Sequence, residues 1–188
     1  VYKRQGCGLG DPQVQKVVNR YLQECTVLVT VLQPNCRTVS GFASYNWYWS
    51  PLTRQHYKED LPHMEYCGRV ALLQRKLGRY FLREQPAGSR LCHVPPWPEV
   101  HQHATTVSTV MDQCMAGLKD SRGVPVRKRT EWIANHETLI ASLSKFRCDE
   151  QHVHATPMGE ELSKCQVYPW KMSYAVVTGI NNCLLYTS

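Results

Sequence analysis

Hydrophobic and polar positions follow two different patterns in the first part of the chain. From Asp11 to Glu24 the apolar residues recur every three or four positions, the spacing of one helix face. Asp11 is a favoured N-cap residue and Pro12 suits the first helical turn, so the pattern predicts a helix here. The run from Thr26 to Leu32 is apolar and β-branched without alternation. It predicts a strand covered on both faces, as in a parallel sheet.

The rest of the chain predicts a similar succession of elements. Residues 37–60 are polar and aromatic and are predicted to form a long loop, followed by a helix from Pro62 to Leu77 that ends at Gly78. Further strands are predicted at RYFLRE, TTVSTVM and TEWIAN, and further helices at WPEVHQHA, HETLIASLSKF and YPWKMSYAVVTGI. This order predicts an α/β, Rossmann-like fold with a mostly parallel sheet and helices on both faces.

The length of 188 residues and the hydrophobic content of 43% suit one domain with a substantial core. Residues 1–10 and 181–188 have the character of translated adapter sequence, so the domain is expected to span 11–180. The chain is interpreted as an N-terminally truncated fragment of a longer reading frame. The G-x-G in GCGLG follows no predicted strand and is not interpreted as a cofactor-binding loop.

Charge and cysteine content narrow the choice of partner and compartment. The net charge of +7 favours an anionic partner, most often nucleic acid, although a solvated basic surface is the alternative. The nine cysteines are scattered and odd in number, which argues against a disulfide scaffold. They favour an intracellular, reducing compartment, either nucleus or cytoplasm. No apolar run is long enough to predict a membrane-spanning helix, so no membrane partner is expected.

Two reactive groups follow predicted strands. Cys36 comes just after the first strand and Glu84 ends RYFLRE. If the two strands are neighbours, a thiol and a carboxylate face one crevice, which suits covalent catalysis assisted by an acid. The alternative is an inert strand-end thiol and a surface carboxylate.

Several short blocks carry a family resemblance. They are QPNCRTVS, FLREQP, DQCMAGL, GVPVRKRT and CDEQHVHATP, the last preceding VYPWKMSYAVVTGI. In order and spacing they resemble the cytosine-5 DNA methyltransferase domain, in the divergent form carried by Copia-type retrotransposon polyproteins and related mobile elements. The resemblance covers approximately residues 11–180. The sequence departs from the family at Asn35, where a proline is usual, and at Gln85 and Pro86, where asparagine and valine are usual.

The resemblance implies S-adenosylmethionine-dependent methylation of cytosine in DNA. Cys36 would attack carbon 6 of a flipped cytosine, and Glu84 would hydrogen-bond the ring nitrogen. The thiol needs a lowered pKa, which a helix N-terminus or a nearby cation such as Arg37 would supply, and Arg37 is also a candidate for contact with nucleic acid. The basic residues of GVPVRKRT, namely Arg127, Lys128 and Arg129, would hold the active-site loop and the DNA; phosphate contact or simple solvation is the alternative. The family's cofactor-binding loop would lie upstream of this fragment.

A second set of residues has the chemistry of a metal site. Cys148, His152 and His154 have the spacing C-x3-H-x-H, and thiolate and imidazole are good zinc ligands. Cys114 and Cys165 are the candidates for a fourth ligand, and a polar loop with incidental histidines is the alternative. The second functional hypothesis is a non-catalytic domain that binds nucleic acid or serves as a structural part of the polyprotein, with or without stabilisation by zinc.

Overall fold

The computed structural model describes residues 8–186, apart from the side chains of Phe42, Ser44, Tyr45 and Tyr186. The suspected adapter residues 1–7 and 187–188 lie outside the described residues. The chain divides between Thr106 and Val107 into two compact units. The first unit contains α1 (Pro12–Glu24), β1 (Val29–Leu32), α2 (Gly41–Trp47), α3 (Pro51–Lys76), β2 (Tyr80–Pro86), a 3-10 turn (Arg90–His93) and α4 (Trp97–Gln102). The second contains β3 (Val107–Asp112), β4 (Arg129–Ala134), α5 (Thr138–Ala141), α6 (Glu160–Lys164) and α7 (Trp170–Tyr186).

The first unit is built around a parallel pair of strands. β1 and β2 pair in register from Val29 opposite Tyr80 to Leu32 opposite Arg83. α3 connects them and packs on both, as a parallel crossover requires. The parallel pairing of these two strands confirms the sequence prediction. The predicted coverage of β1 on both faces is incomplete, because Val31 is 39% exposed.

The predicted loop over residues 37–60 is wrong, because α2 and most of the first half of α3 lie there. Ser50 caps α3, accepting a hydrogen bond from the Thr53 N–H to its Oγ at 3.3 Å, and Pro51 occupies the first helical position. Pro62 lies inside the helix instead of starting it. The first half of α3 is rich in charged and polar side chains, so its sequence lacks the apolar periodicity that predicts an amphipathic helix.

The second unit contains an antiparallel pair of strands. β3 and β4 pair from Val107 opposite Ala134 to Asp112 opposite Arg129. The α/β class is confirmed, but the prediction of a mostly parallel sheet is wrong for this pair. The connection from 113 to 128 contains turns and no helix, with Gly117 and Gly123 at φ of 97° and 81°. Such a connection returns the chain antiparallel, whereas a parallel pair needs a longer crossover.

The last helix is longer than predicted and packs on a shorter one. α7 extends through Tyr186, so the predicted domain boundary at residue 180 falls inside it, whereas α5 is a single turn. α5 packs against α7, and the two approach closely at Gly179, beside the Leu139 carbonyl. No helix among residues 8–186 is both long enough and apolar enough to cross a membrane.

Gly179→Ala should destabilise the protein, because an added Cβ would lie 2.5 Å from the Leu139 carbonyl oxygen, and backbone cannot move aside cheaply. We expect a loss of about 1–3 kcal/mol in the free energy of unfolding, measured by urea denaturation. Gly41→Ala is the control, since no heavy atom lies within 4 Å of its added Cβ. Equal stability of the two variants would contradict the close packing of α5 on α7.

Candidate functional site

The turn that carries Cys36 is fixed by its neighbours and leaves the cysteine exposed. The Cys36 carbonyl accepts hydrogen bonds from the backbone N–H groups of Val39 at 3.2 Å and Ser40 at 2.9 Å. On either side of the cysteine, Asn35 Nδ2 and Arg37 Nε donate to the Asp60 carboxylate of α3, at 2.8 and 2.7 Å. Cys36 itself is exposed. The sequence around it therefore holds the backbone without enclosing the residue.

The strand of Glu84 lies beside this turn. Gln85, which is fully buried, donates from Nε2 to the Pro34 carbonyl at 2.6 Å. Pro34 precedes Cys36 by two positions, and Gln85 follows Glu84 directly. The carboxyl ends of the parallel strands β1 and β2 are thus neighbours, which is the condition for a shared crevice.

Arg37 is paired with carboxylates of α3. Its guanidinium lies 2.7 Å from Asp60 and 3.2 Å from Glu59, and hydrogen bonding to Asp60 raises the pKa of Arg37. The side chain is 50% exposed, so part of it faces solvent. The predicted action of Arg37 on the cysteine thiol or on DNA stays a prediction.

A small cavity of about 160 Å³ adjoins the turn. Its lining combines apolar, aromatic and cationic side chains, namely Thr38, Val39, Trp47, Tyr57, Arg90, His93 and Val94. The Trp47 and Tyr57 rings meet edge to face at 5.2 Å. Among the described residues no carboxylate lines the cavity, and its volume is below the roughly 300–1,000 Å³ of pockets that hold whole small-molecule ligands.

Four of the five residues considered for a metal site come together in the second unit, and Cys165 is the exception. One ligand atom from each of Cys114, Cys148, His152 and His154 lies within 4.8 Å of all the others. Cys148 Sγ lies 3.8 Å from His152 Nε2 and 3.4 Å from His154 Nε2. Cys165 is buried elsewhere, against Leu118 and Val126. This cluster could hold a metal ion, and Cys114 is its fourth member.

Asp112, at the end of β3, anchors the loop that carries three of these residues. Its carboxylate accepts the Cys148 N–H at 3.0 Å and Arg127 Nε at 3.1 Å, and Arg129 Nε lies 3.6 Å away. Burial alone would raise the pKa of Asp112, but the bonds from Cys148 and Arg127 outweigh it and hold the pKa below its usual range. Arg127 also reaches Glu150, at 2.7 Å.

The three basic residues of GVPVRKRT therefore all have partners within the unit. Arg127 bonds to Asp112 and Glu150, Arg129 lies near Asp112, and Lys128 donates from Nζ to the Cys165 carbonyl at 3.0 Å. Arg129 is 56% exposed and Arg127 is 30% exposed. Their predicted contact with nucleic acid stays a prediction.

The two thiols of the cluster influence each other. Burial raises the pKa of Cys114 to about 11, and a hydrogen bond with Cys148 contributes to the rise.

A scan of family models, a search of curated proteins and a search of solved structures find no match for the chain. Sequence reasoning missed Asp60 and Asp112, because each aspartate holds segments distant from it in the chain.

The exposure of the cysteines predicts a labelling order. In the native protein the exposed Cys25 and Cys36 should react with iodoacetamide first. The buried Cys67 should react roughly 100-fold more slowly, because the reagent reaches it only when the structure around it opens locally. Burial also raises the pKa of the Cys67 thiol to about 12, which leaves little thiolate. Peptide mass spectrometry of timed samples measures the order. Protection of Cys36 equal to that of Cys67 would contradict the exposed turn.

Proposed function

We propose that the chain is a cytosine-5 DNA methyltransferase-like domain of a mobile-element polyprotein, with Cys36 as nucleophile and Glu84 as the assisting acid. The observation that carries the proposal is the meeting of the carboxyl ends of β1 and β2, through the bond from Gln85 to the Pro34 carbonyl. A Rossmann-like arrangement is part of the proposal. It is supported by the parallel strand pair and the α3 crossover of the first unit.

In this proposal the chain's own residues perform the addition step. A cytosine leaves the DNA stack, and the Cys36 thiolate forms a bond to carbon 6 of its ring. The electron pair of the carbon 5–carbon 6 double bond moves between carbons 4 and 5, the pair of the carbon 4–nitrogen 3 double bond moves to nitrogen 3, and the Glu84 carboxylic acid gives its proton to that nitrogen. The product is a neutral adduct whose carbon 5 is nucleophilic.

S-adenosylmethionine does not fit the cavity beside the Cys36 turn. That cavity is too small for a whole cofactor and offers no carboxylate for ribose hydroxyl groups. The described residues Gly8 to Gly10 lead directly into α1. The proposal therefore includes no methyl-transfer step by this chain.

DNA is the proposed partner because of the net charge of +7 and the lining of the cavity. Trp47 and Tyr57 offer aromatic rings for contact with a base, and Arg90 and His93 offer hydrogen-bond donors. Thr38 and Val39 of the lining belong to the turn that Cys36 begins. These features support a pocket for a single base at the turn that Cys36 begins.

A duplex containing 2-pyrimidinone in place of one cytosine tests the addition step without a methyl donor, because its ring carbon 6 is more electrophilic than that of cytosine. The whole chain should form a covalent adduct, detected by intact mass. Cys36→Ser should abolish the adduct, and Glu84→Gln should slow its formation by about 10²-fold or more. Cys25→Ser is the matched control, since Cys25 is also exposed.

DNA binding is measured in parallel by fluorescence anisotropy. Binding by the wild-type protein without an adduct would overturn the enzyme proposal and favour a second candidate, a non-catalytic nucleic-acid-binding or structural domain of a polyprotein. The specific observation in favour of that candidate is the Cys/His cluster, which the addition chemistry does not require. An adduct that forms equally well in Cys36→Ser would show that another thiol reacts.

A further inference from the structure

The ligand loop from Cys148 to His154 is attached at both ends to the frame of the second unit. At its start, the Cys148 N–H donates to Asp112, and the Asp112 N–H donates to the Phe146 carbonyl at 2.7 Å. At its end, the Ala155 N–H donates to the Pro125 carbonyl at 2.8 Å. The spacing of the two histidines and Cys148 is thereby set by backbone bonds as well as by their own side chains.

The separations within the cluster match those of a tetrahedral zinc site. Zn–S bonds of about 2.3 Å and Zn–N bonds of about 2.05 Å require sulfur and nitrogen ligands about 3.6 Å apart. The distances from Cys148 Sγ to His154 and His152 are 3.4 and 3.8 Å. Both histidines present Nε2 to the sulfur. Their ring centroids are 4.6 Å apart and the ring planes meet at 65°, so neither ring blocks the other.

Groups outside the cluster complete the environment that metal sites require. The Asp149 carboxylate lies 3.8 Å from His152 Nδ1, on the side of the ring away from Cys148. The Glu150 N–H donates to Cys148 Sγ at 3.4 Å, and Glu150, held by Arg127, has a φ of 63° that directs its backbone at the sulfur. Such outer partners orient metal ligands and tune their basicity.

We propose that Cys114, Cys148, His152 and His154 bind one zinc ion as a closed structural site, positioned by Asp112 and Arg127. Two thiolates and two imidazoles in tetrahedral reach favour zinc. Four protein ligands leave no open position for a substrate, so the ion stabilises and does not catalyse. It links the turn after β3 to the 148–154 loop, where the apolar cluster of Leu118, Val126 and Cys165 is small.

This site is independent of the proposed function. Cys36 and Glu84 belong to the first unit, whereas every zinc ligand belongs to the second. An adduct without zinc, or zinc without an adduct, would each overturn one proposal and leave the other standing.

The test is the metal content and spectrum of the whole chain, purified without chelator. Elemental analysis and native mass spectrometry should find one zinc ion per chain. Replacement of zinc by Co²⁺ should give the intense visible bands and the sulfur-to-cobalt charge-transfer band of a tetrahedral thiolate site. Chelation should lower the Tm and release two thiols to a chromogenic reagent. A wild-type protein without bound metal, together with the spectrum of hydrated Co²⁺, would overturn the proposal.

Variants separate the ligands from their neighbours. Cys114→Ser should weaken zinc binding by more than the roughly 10–100-fold typical for loss of an outer partner, measured by competition with a chromophoric chelator. Cys165→Ala, a cysteine of the same unit outside the cluster, should retain full affinity. Full affinity in Cys114→Ser together with loss in Cys165→Ala would overturn the assignment of Cys114. If Cys114→Ser fails to fold, the cobalt spectrum of the wild-type protein still decides whether the site exists.

The positioning role of Arg127 has its own readout. Arg127→Gln should lower zinc affinity by about 10–100-fold, because Glu150 and Asp112 lose the cation that fixes them. Arg122→Gln is the matched control, since Arg122 pairs with Asp120 and is 76% exposed. Equal zinc affinity of the two variants would overturn the positioning role.

Discussion

A buried carboxylate that needs hydrogen-bond donors is the constraint on which the Cys36 turn and the Cys148 loop both depend. Asp60 in α3 is 2% exposed, and Asp112 at the end of β3 is 3% exposed. A carboxylate removed from water is costly unless donors compensate it, so the chain must bring donors to it. Asn35 and Arg37 supply them to Asp60, and Cys148 and Arg127 supply them to Asp112. In each unit, the donors lie on the segment that carries the reactive cysteine or beside it.

This constraint changes how the positive charge of the chain is understood. The net charge includes basic residues that already have partners within the protein. Arg37 and Arg127, for example, each donate hydrogen bonds to carboxylates of their own unit. A guanidinium has five N–H donors, so an internal bond does not exhaust it. Arg37 and Arg129 are 50% and 56% exposed, which leaves surface for contact with a phosphate. Internal pairing and contact with nucleic acid are therefore compatible at these positions, and substitutions there would change both.

Local signals in the sequence predicted α1, β2, β3 and β4 correctly, and they failed where distant contacts decide. Asp11 and Pro12 mark the start of α1 because capping involves only neighbours in sequence. The predicted helix is shorter than α3, because Pro62 has the character of a helix start, while the true cap, Ser50, lies among aromatic residues. The direction of β4 relative to β3 depends on the turns between them, which periodicity does not describe. For the candidate sites, the spacing C-x3-H-x-H predicts three members of the Cys/His cluster, but the choice of Cys114 over Cys165 as the fourth depends on where β3 ends.

The thiol proposed as nucleophile and a thiol proposed as metal ligand lie in different environments. Cys36 is exposed and begins a turn, whereas the Cys148 sulfur accepts a backbone N–H and has two imidazoles within 3.8 Å. A thiolate bound to zinc is held away from electrophiles, but the same thiolate without metal is a nucleophile. If the proposed zinc were lost, a reaction at the thiols of Cys114 or Cys148 would persist in Cys36→Ser, so that variant distinguishes it from the addition proposed for Cys36. The addition proposed for Cys36 does not itself require zinc, so the two proposals stand or fall separately.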